Sequence, residues 1–106
     1  MQQIDWSKSE KATARRAFDT AYEKECTAIL ARLKTMTEAA NSPRDIWRIH
    51  DYLSEQCRET DGKYDYTYSV LTWVFARLLK EGWLTEADLQ GLDENKMQRI
   101  KFLANT

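Results

Sequence analysis

The stretch that decides the fold is residues 7–40, SKSEKATARRAFDTAYEKECTAILARLKTMTEAA. It contains no glycine or proline, the two residues that most often interrupt a helix. Ser7 and Glu10 have the spacing of a capping box at its start. Apolar residues then recur every three or four positions, as on one face of a helix: Phe18, Tyr22, Cys26, Ile29, Leu33 and Met36. The pattern predicts a single helix over about 8–40.

This first helix is too long for a globule of this size. At about 1.5 Å per residue it extends for roughly 50 Å, whereas a compact chain of about 100 residues has a radius of gyration near 13 Å. The apolar stripe continues into the overhanging part, and a second copy of the chain is the simplest cover for it. We therefore predict a homodimer with Ile29, Leu30 and Leu33 in the interface. The alternative is a first helix that bends or breaks and folds back on itself.

A second helix is predicted to begin at the only proline of the sequence. Ser42 and Pro43 are favoured at the cap and at the first helical position, respectively. We expect this helix to end near Glu59, before the turn residues Asp61 and Gly62. Its predicted buried stripe is Ile46, Ile49 and Leu53. The first two helices then form a long hairpin over residues 1–60.

The remaining residues, 61–106, predict a compact head of three helices. The first covers about 66–81 and is followed by Gly82, which suits a left-handed C-cap. Thr85 and Asp93 are predicted caps of the two short helices that follow. Nothing in the sequence alternates as a strand does, so the predicted fold class is all-α.

Charge and hydropathy exclude two classes of partner. The chain of 106 residues has 16 basic and 17 acidic side chains, a net charge of −1. A nucleic-acid binder normally carries a cationic excess that neutralises phosphates, so we expect no nucleic-acid partner. No apolar run approaches the roughly 20 residues that span a bilayer, so we expect no direct membrane insertion. The predicted location is the cytoplasm.

The sequence predicts neither catalysis nor a metal site. It lacks a P-loop and a glycine-rich dinucleotide turn. His50 precedes Asp51, but neighbours on a helix point in different directions, which argues against a catalytic dyad. The thiols of Cys26 and Cys57 and the single histidine cannot complete a zinc shell. We interpret both cysteines as small, half-buried side chains.

One face of the second helix favours protein binding. Trp47, His50, Asp51, Ser54 and Arg58 recur at spacings of three or four, away from the predicted apolar stripe. Tryptophan and arginine are enriched among the residues that dominate protein–protein binding energy. The alternative is that Trp47 packs into the dimer and the other side chains are merely solvated.

Several segments together resemble the cyanobacterial fluorescence recovery protein family. They are 45–54, DIWRIHDYLS; 61–66, DGKYDY; and 80–84, KEGWL. The resemblance covers nearly the whole chain without gaps. It implies an all-helical homodimer that acts as an adaptor and carries no cofactor. Members of the family bind the photoactivated orange carotenoid protein, help it leave the phycobilisome, and speed its return to the orange state. Non-photochemical quenching then ends. The resemblance also implies a location at the cytoplasmic side of thylakoids.

The resemblance also assigns roles to residues. Trp47, His50 and Asp51 match the family's functional positions on the second helix, and Ile46 matches an apolar position in the dimer. In the head, Trp73 and Arg99 match positions for partner contact, where phenylalanine and lysine are usual. With Arg58 from the helical face, these give six predicted partner-binding residues.

One position departs from the family and keeps other functions open. Cys57 stands where the family has an arginine that is important for activity, and Arg58 lies about 100° further round the helix. A guanidinium forms bidentate, charge-assisted hydrogen bonds that a thiol cannot form. The alternative functions are a related interaction protein with a different client, and a redox sensor based on Cys57.

Overall fold

The computed structural model describes residues 5–106, so the first four residues of the predicted 1–60 hairpin lie outside the described residues. Its elements are α1 (Lys8–Ala39), α2 (Pro43–Lys63), α3 (Leu71–Glu81), a short 3-10 helix (Glu86–Leu89) and α4 (Glu94–Ala104). The fold class is confirmed as all-α, with a long hairpin followed by a head. The middle one of the three predicted head helices is a single 3-10 turn.

The predicted capping residues form the ends of the helices. At the start of α1, the Ser7 hydroxyl accepts from the Glu10 N–H at 3.1 Å, and the Ser7 N–H donates to the Glu10 carboxylate at 3.0 Å. Asp93 accepts from the backbone N–H of Lys96 at 2.7 Å. Gly82 ends α3 with a φ of 87°, a conformation that favours glycine. The start of α1, the end of α3 and the start of α4 therefore follow local chemistry, whereas Ser42 precedes α2 without a side-chain capping hydrogen bond.

Two predicted boundaries were wrong, both near residue 62. Helix α2 continues through Gly62 to Lys63 instead of ending near Glu59, and α3 begins at Leu71 instead of residue 66. The cause is the packing of the segment that connects α2 to α3. Residues 64–67 are not helical, and the rings of Tyr64 and Tyr66 pack edge-on against Phe18 of α1, at 5.4 and 4.9 Å. Burial of these rings outweighs the helical preference of the segment.

The hydrophobic core lies in the head and includes the first half of α1. Ala14, Ala17, Phe18 and Ala21 of α1 are buried together with apolar residues of α3, the 3-10 helix and α4. The largest side chains with essentially no exposure are Phe75, Leu71, Leu78, Leu89 and Ile100. The predicted segments 1–60 and 61–106 therefore share one core.

The far half of the hairpin has no such core. Beyond Glu25, every residue of α1 is half-buried or exposed, and in α2 the buried residues are Thr60 and Lys63. The described chain measures 55 × 27 × 25 Å, and its radius of gyration is 16.8 Å. This exceeds the value of about 13 Å for a compact domain of about 100 residues. The first helix is unbroken, as predicted, and the alternative in which α1 folds back on itself does not occur.

An ion cluster ties the start of α1 to the head. The Lys96 ammonium donates to the Glu10 carboxylate at 3.2 Å and to the Asp5 carbonyl at 2.7 Å, and it lies 5.0 Å from the ring centroid of Trp6. Burial by itself would raise the pKa of Glu10. Hydrogen bonds from the Ser7 and Asp93 N–H groups, together with Lys96, outweigh burial and lower this pKa to about 2.

The lowered pKa of Glu10 predicts a loss of stability in acid. The folded pKa lies below the unfolded value of about 4.5, so the ionised carboxylate stabilises the fold above that pH and the contribution disappears as the pH falls toward 2. We expect Glu10→Gln to lower the free energy of unfolding at pH 7 by on the order of 2 kcal/mol. Urea denaturation at pH 7 and pH 3 checks this. The gap between wild type and variant should narrow at pH 3, and an equal gap at both pH values would contradict the assignment.

Candidate protein-binding surface

Helix α2 turns one face toward α1 and the opposite face toward solvent. Ile49, Tyr52 and Gln56 are half-buried on the inner side, and at about 100° per residue the outer residues lie roughly half a rotation round the helix from them. We use the term α2 face for the outer set: Trp47, His50, Asp51, Ser54 and Arg58. Four of its members are exposed, and Ser54 is half-buried. The structure therefore brings four predicted partner-binding residues together on one face.

The aromatic part of the α2 face is unusually open. The Trp47 side chain is 64% exposed, and its ring meets the His50 ring edge-on at a centroid distance of 6.4 Å. A large apolar ring exposed next to a polar ring costs solvation energy that a partner would recover on binding. This arrangement suits an anchor for another protein.

His50 and Asp51 approach each other more closely than the sequence suggested. The Nδ1 atom of His50 lies 3.4 Å from Oδ1 of Asp51, so the expectation that the two side chains point apart was wrong. Both side chains are exposed, and a contact of this length between solvated groups is weak. The pair adds polarity to the α2 face, where a partner could form hydrogen bonds with it.

An open groove continues the α2 face toward the head. Its volume is about 540 Å³, and its lining residues are His50, Leu53, Ser54, Cys57, Arg58 and Asp61. The Cys57 thiol is exposed and lies 3.8 Å from the Asp61 carboxylate. The expected half-buried environment holds for Cys26 and is wrong for Cys57. Cys57, the position expected to differ from the resembled family, thus lies inside the groove.

The other two predicted partner-binding residues lie in the head. Trp73 on α3 is 56% exposed, and Arg99 on α4 is also exposed. The six predicted residues are therefore divided between two parts of the molecule. Phe102 of α4, which was not among the predicted residues, is 69% exposed. Its only signal was its position beside the buried Ile100 and the half-buried Leu103.

The predicted dimer residues form an uncovered apolar surface within one chain. Ile29 and Leu33 are half-buried, while Leu30 is 49% and Ile46 is 57% exposed. The prediction that Ile46 and Leu53 are buried was wrong for the single chain, because Ile49 is the stripe residue that faces α1 and the other two lie to its side. A covering partner is needed to bury them.

Neither a metal-ligand cluster nor a membrane-spanning helix is found in the part of the chain that the structure describes. Among residues 5–106, no group of three His, Cys, Asp or Glu side chains is placed to hold a metal ion. No helix in the same range combines the length and the apolar character that crossing a bilayer requires.

Comparison with known proteins identifies relatives over almost the entire chain. Residues 6–104 match the family model described as photoprotection regulator fluorescence recovery protein. The fluorescence recovery protein of Synechocystis sp. is 39% identical over 99 residues, which are 93% of this chain and 91% of that protein. The solved structure of the Fremyella diplosiphon fluorescence recovery protein has a TM-score of 0.92 and 43% identity, and the match covers 96% of this chain and all of that one. The solved Synechocystis structure has the same TM-score and coverage, with 38% identity.

Proposed function

Because this chain belongs to the family of the photoprotection regulator fluorescence recovery protein, we propose that it is a non-catalytic adaptor for the photoactivated orange carotenoid protein. In this role it binds the photoactivated carotenoid protein, helps to detach it from the phycobilisome, and accelerates its return to the orange form. Quenching of the antenna then ends. The site of action is the cytoplasm, at the cytoplasmic side of thylakoids, and the carotenoid belongs to the client.

The proposed mechanism is preferential binding. An adaptor accelerates closure of its client only if it binds the closing arrangement more tightly than the open one, since equal affinity for both shifts nothing. This requires contacts on parts of the client that approach each other during closure. Exposed residues on both the hairpin and the head, such as Trp47 and Trp73, are suited to this task.

The observation that carries the proposal is the exposed Trp47 ring beside His50 and the open groove. An exposed tryptophan flanked by hydrogen-bonding groups has the composition of a binding hot spot. The surface is a shallow groove on one helix, a shape that suits a protein better than a small molecule, which prefers an enclosed pocket.

We further propose that the chain functions as a homodimer through the far half of the hairpin. The apolar side chains of Leu30 and Ile46 are exposed there, and Ile29, Leu33 and Met36 are half-buried. A second copy that packs on this surface would remove these side chains from water, at about 25 cal/mol per Å² of apolar area. The α2 face lies to the side of Ile46, and we expect it to remain open in that arrangement.

Dark recovery of the carotenoid protein tests the proposed function. Purified chain is mixed with photoconverted orange carotenoid protein, and the absorbance change from red to orange is followed in the dark. We expect a faster return than in the client alone and a complex on size-exclusion chromatography. An unchanged rate without a complex would contradict the proposed client.

A second candidate, an interaction protein with a different client, is favoured by one observation. Cys57 occupies the groove position where the family has arginine, so this chain lacks a guanidinium there. Arg58 also lines the groove, but it leaves the helix about 100° away. Absence of the carotenoid protein and of phycobilisome genes from the source genome would favour this candidate.

The substitution Cys57→Arg discriminates between the two clients. Residue 57 is exposed, and arginine is a good helix former, so the fold should tolerate the change. If the carotenoid protein is the client, a new charge-assisted hydrogen bond should raise the dark-recovery rate at limiting concentration by about tenfold. Cys57→Lys, which adds the charge without the bidentate geometry, is the matched control and should gain less. A rate that does not change with either variant would argue for a different client.

A further inference from the structure

A buried lysine lies where the hairpin meets the head. Lys63 is the last residue of α2, and its side chain is 3% exposed. Its ammonium donates to Glu25 of α1 at 2.6 Å and to Glu81 at the end of α3 at 2.7 Å. A single cation therefore connects three helices that are distant in sequence.

The two carboxylates that bind this cation also accept hydrogen bonds from neighbouring side chains. The Tyr64 hydroxyl donates to the other oxygen of Glu25 at 2.8 Å. Glu81 also accepts from Arg77 at 2.9 Å and from the Trp83 indole at 3.2 Å. Burial, and then the hydrogen bond to Glu25, raise the pKa of Tyr64, so the hydroxyl remains a donor.

Such a network favours a unique geometry more than it favours stability. Apolar packing is non-directional, whereas a buried ammonium must direct its N–H groups at its two carboxylates. Desolvation of the charges offsets much of their attraction, and apolar replacements of buried ion pairs are often neutral in stability. The far half of the hairpin has no core of its own. The hydrogen bonds of Lys63 to Glu25 and Glu81 are therefore directional contacts that connect the end of α2 with the head.

We infer that Lys63 is a positioning residue that sets the placement of α2 relative to the head. It thereby sets the spacing between the α2 face and the head residues Trp73 and Arg99. The functional consequence rests on the proposed function: a client that contacts both surfaces binds them together only when their spacing matches its own. Lys63 is buried and does not need to touch the client.

Two variants separate placement from stability. Lys63→Met alone leaves Glu25 and Glu81 without their cation, and we expect it to lower Tm by roughly 10 °C. The triple variant Glu25→Met, Lys63→Met, Glu81→Gln removes all three charges at similar volume, with apolar side chains at the two most buried positions. Its Tm should return to within about 5 °C of wild type. We therefore expect the triple variant to fold without the two hydrogen bonds that the Lys63 ammonium donates.

Distances between spin labels test the inference without any client. Labels replace the exposed Glu55 of α2 and Gln98 of α4, in a background where Cys26 and Cys57 are serine. Excess unlabelled chain isolates distances within one protomer. We expect a narrow distance distribution in wild type and a broadened or shifted one in the triple variant. A control pair at Arg16 and Gln98, both on elements that contribute to the head core, should not change.

Client binding tests the functional consequence separately. The triple variant should bind the carotenoid protein about tenfold more weakly, and Trp73→Ala should cost less affinity in that background than in wild type. A wild-type label distance in the triple variant overturns the inference, whatever the affinity. A broadened distance with wild-type affinity overturns the link to the client. The label measurement decides the positioning role even if wild type does not bind the carotenoid protein.

Discussion

Replacing Ile46 with glutamate should convert the proposed dimer into monomers. Ile46 is 57% exposed in a single chain, so the protomer loses little on substitution. In the dimer, however, the substitution buries an unpaired carboxylate in an apolar interface, and the symmetry of two identical chains places it there twice. A buried, unpaired charge costs several kcal/mol, so the dimer dissociation constant should rise by roughly 1,000-fold. Sedimentation velocity at micromolar concentration measures the change.

The matched control for this experiment is Ile46→Met. Methionine keeps an apolar side chain of similar volume, and the dimer should persist with nearly unchanged affinity. Circular dichroism should show equal helix content in both variants. If Ile46→Glu leaves the dimer intact, the interface lies elsewhere on the hairpin. If wild type itself sediments as a single chain, the dimer proposal fails.

Replacing Trp47 with alanine should abolish most of the client affinity. The ring is 64% exposed, so its removal should change the free energy of unfolding by no more than about 0.5 kcal/mol. If Trp47 is the anchor of the α2 face, its truncation should cost the several kcal/mol typical of a hot spot, or roughly 100-fold in affinity. Titration of photoactivated carotenoid protein with each variant measures the change.

Two comparisons make the Trp47 result interpretable. Arg48→Ala removes an exposed side chain of the same helix that points about 100° away from Trp47, and it should leave the affinity near wild type. Asp51→Ala lies on the α2 face and should weaken binding while the dimer remains. If Trp47→Ala instead destabilises the dimer as much as it weakens client binding, the ring packs between the two chains and is not a client anchor.

The start of α1, the end of α3 and the start of α4 could be predicted because their determinants are local. The Ser7–Glu10 pair, Asp93 and Gly82 each satisfy backbone groups within a few residues along the chain. The long first helix followed from the absence of breakers and from the spacing of its apolar residues. The predicted members of the α2 face also follow from spacing alone, because a helix places every third or fourth residue on one side.

The errors in the α2–α3 boundary and in the burial of Ile46 have one physical origin, which is contact between segments far apart in sequence. The boundary between α2 and α3 was misplaced because Tyr64 and Tyr66 pack against Phe18, more than 40 residues earlier. The exposure of Ile46 was misjudged because periodicity identifies an apolar side of a helix without identifying what covers it. The exposure of Cys57 was misjudged for a local reason, because the groove beside it is lined by residues of α2 alone.

The two buried lysines illustrate a property that depends on contacts between residues far apart in sequence. The residue pattern around Lys63 and Lys96 predicts solvated charges, as is usual for lysine, yet both ammonium groups lie buried against carboxylates from distant helices. Whether a stretch forms a helix, and which of its side chains share one side, are properties of short segments. Backbone hydrogen bonds and side-chain periodicity act over only a few residues. Burial of a charge depends on the partner that reaches it, and here Glu25 and Glu10 lie 38 and 86 residues from their lysines in the sequence.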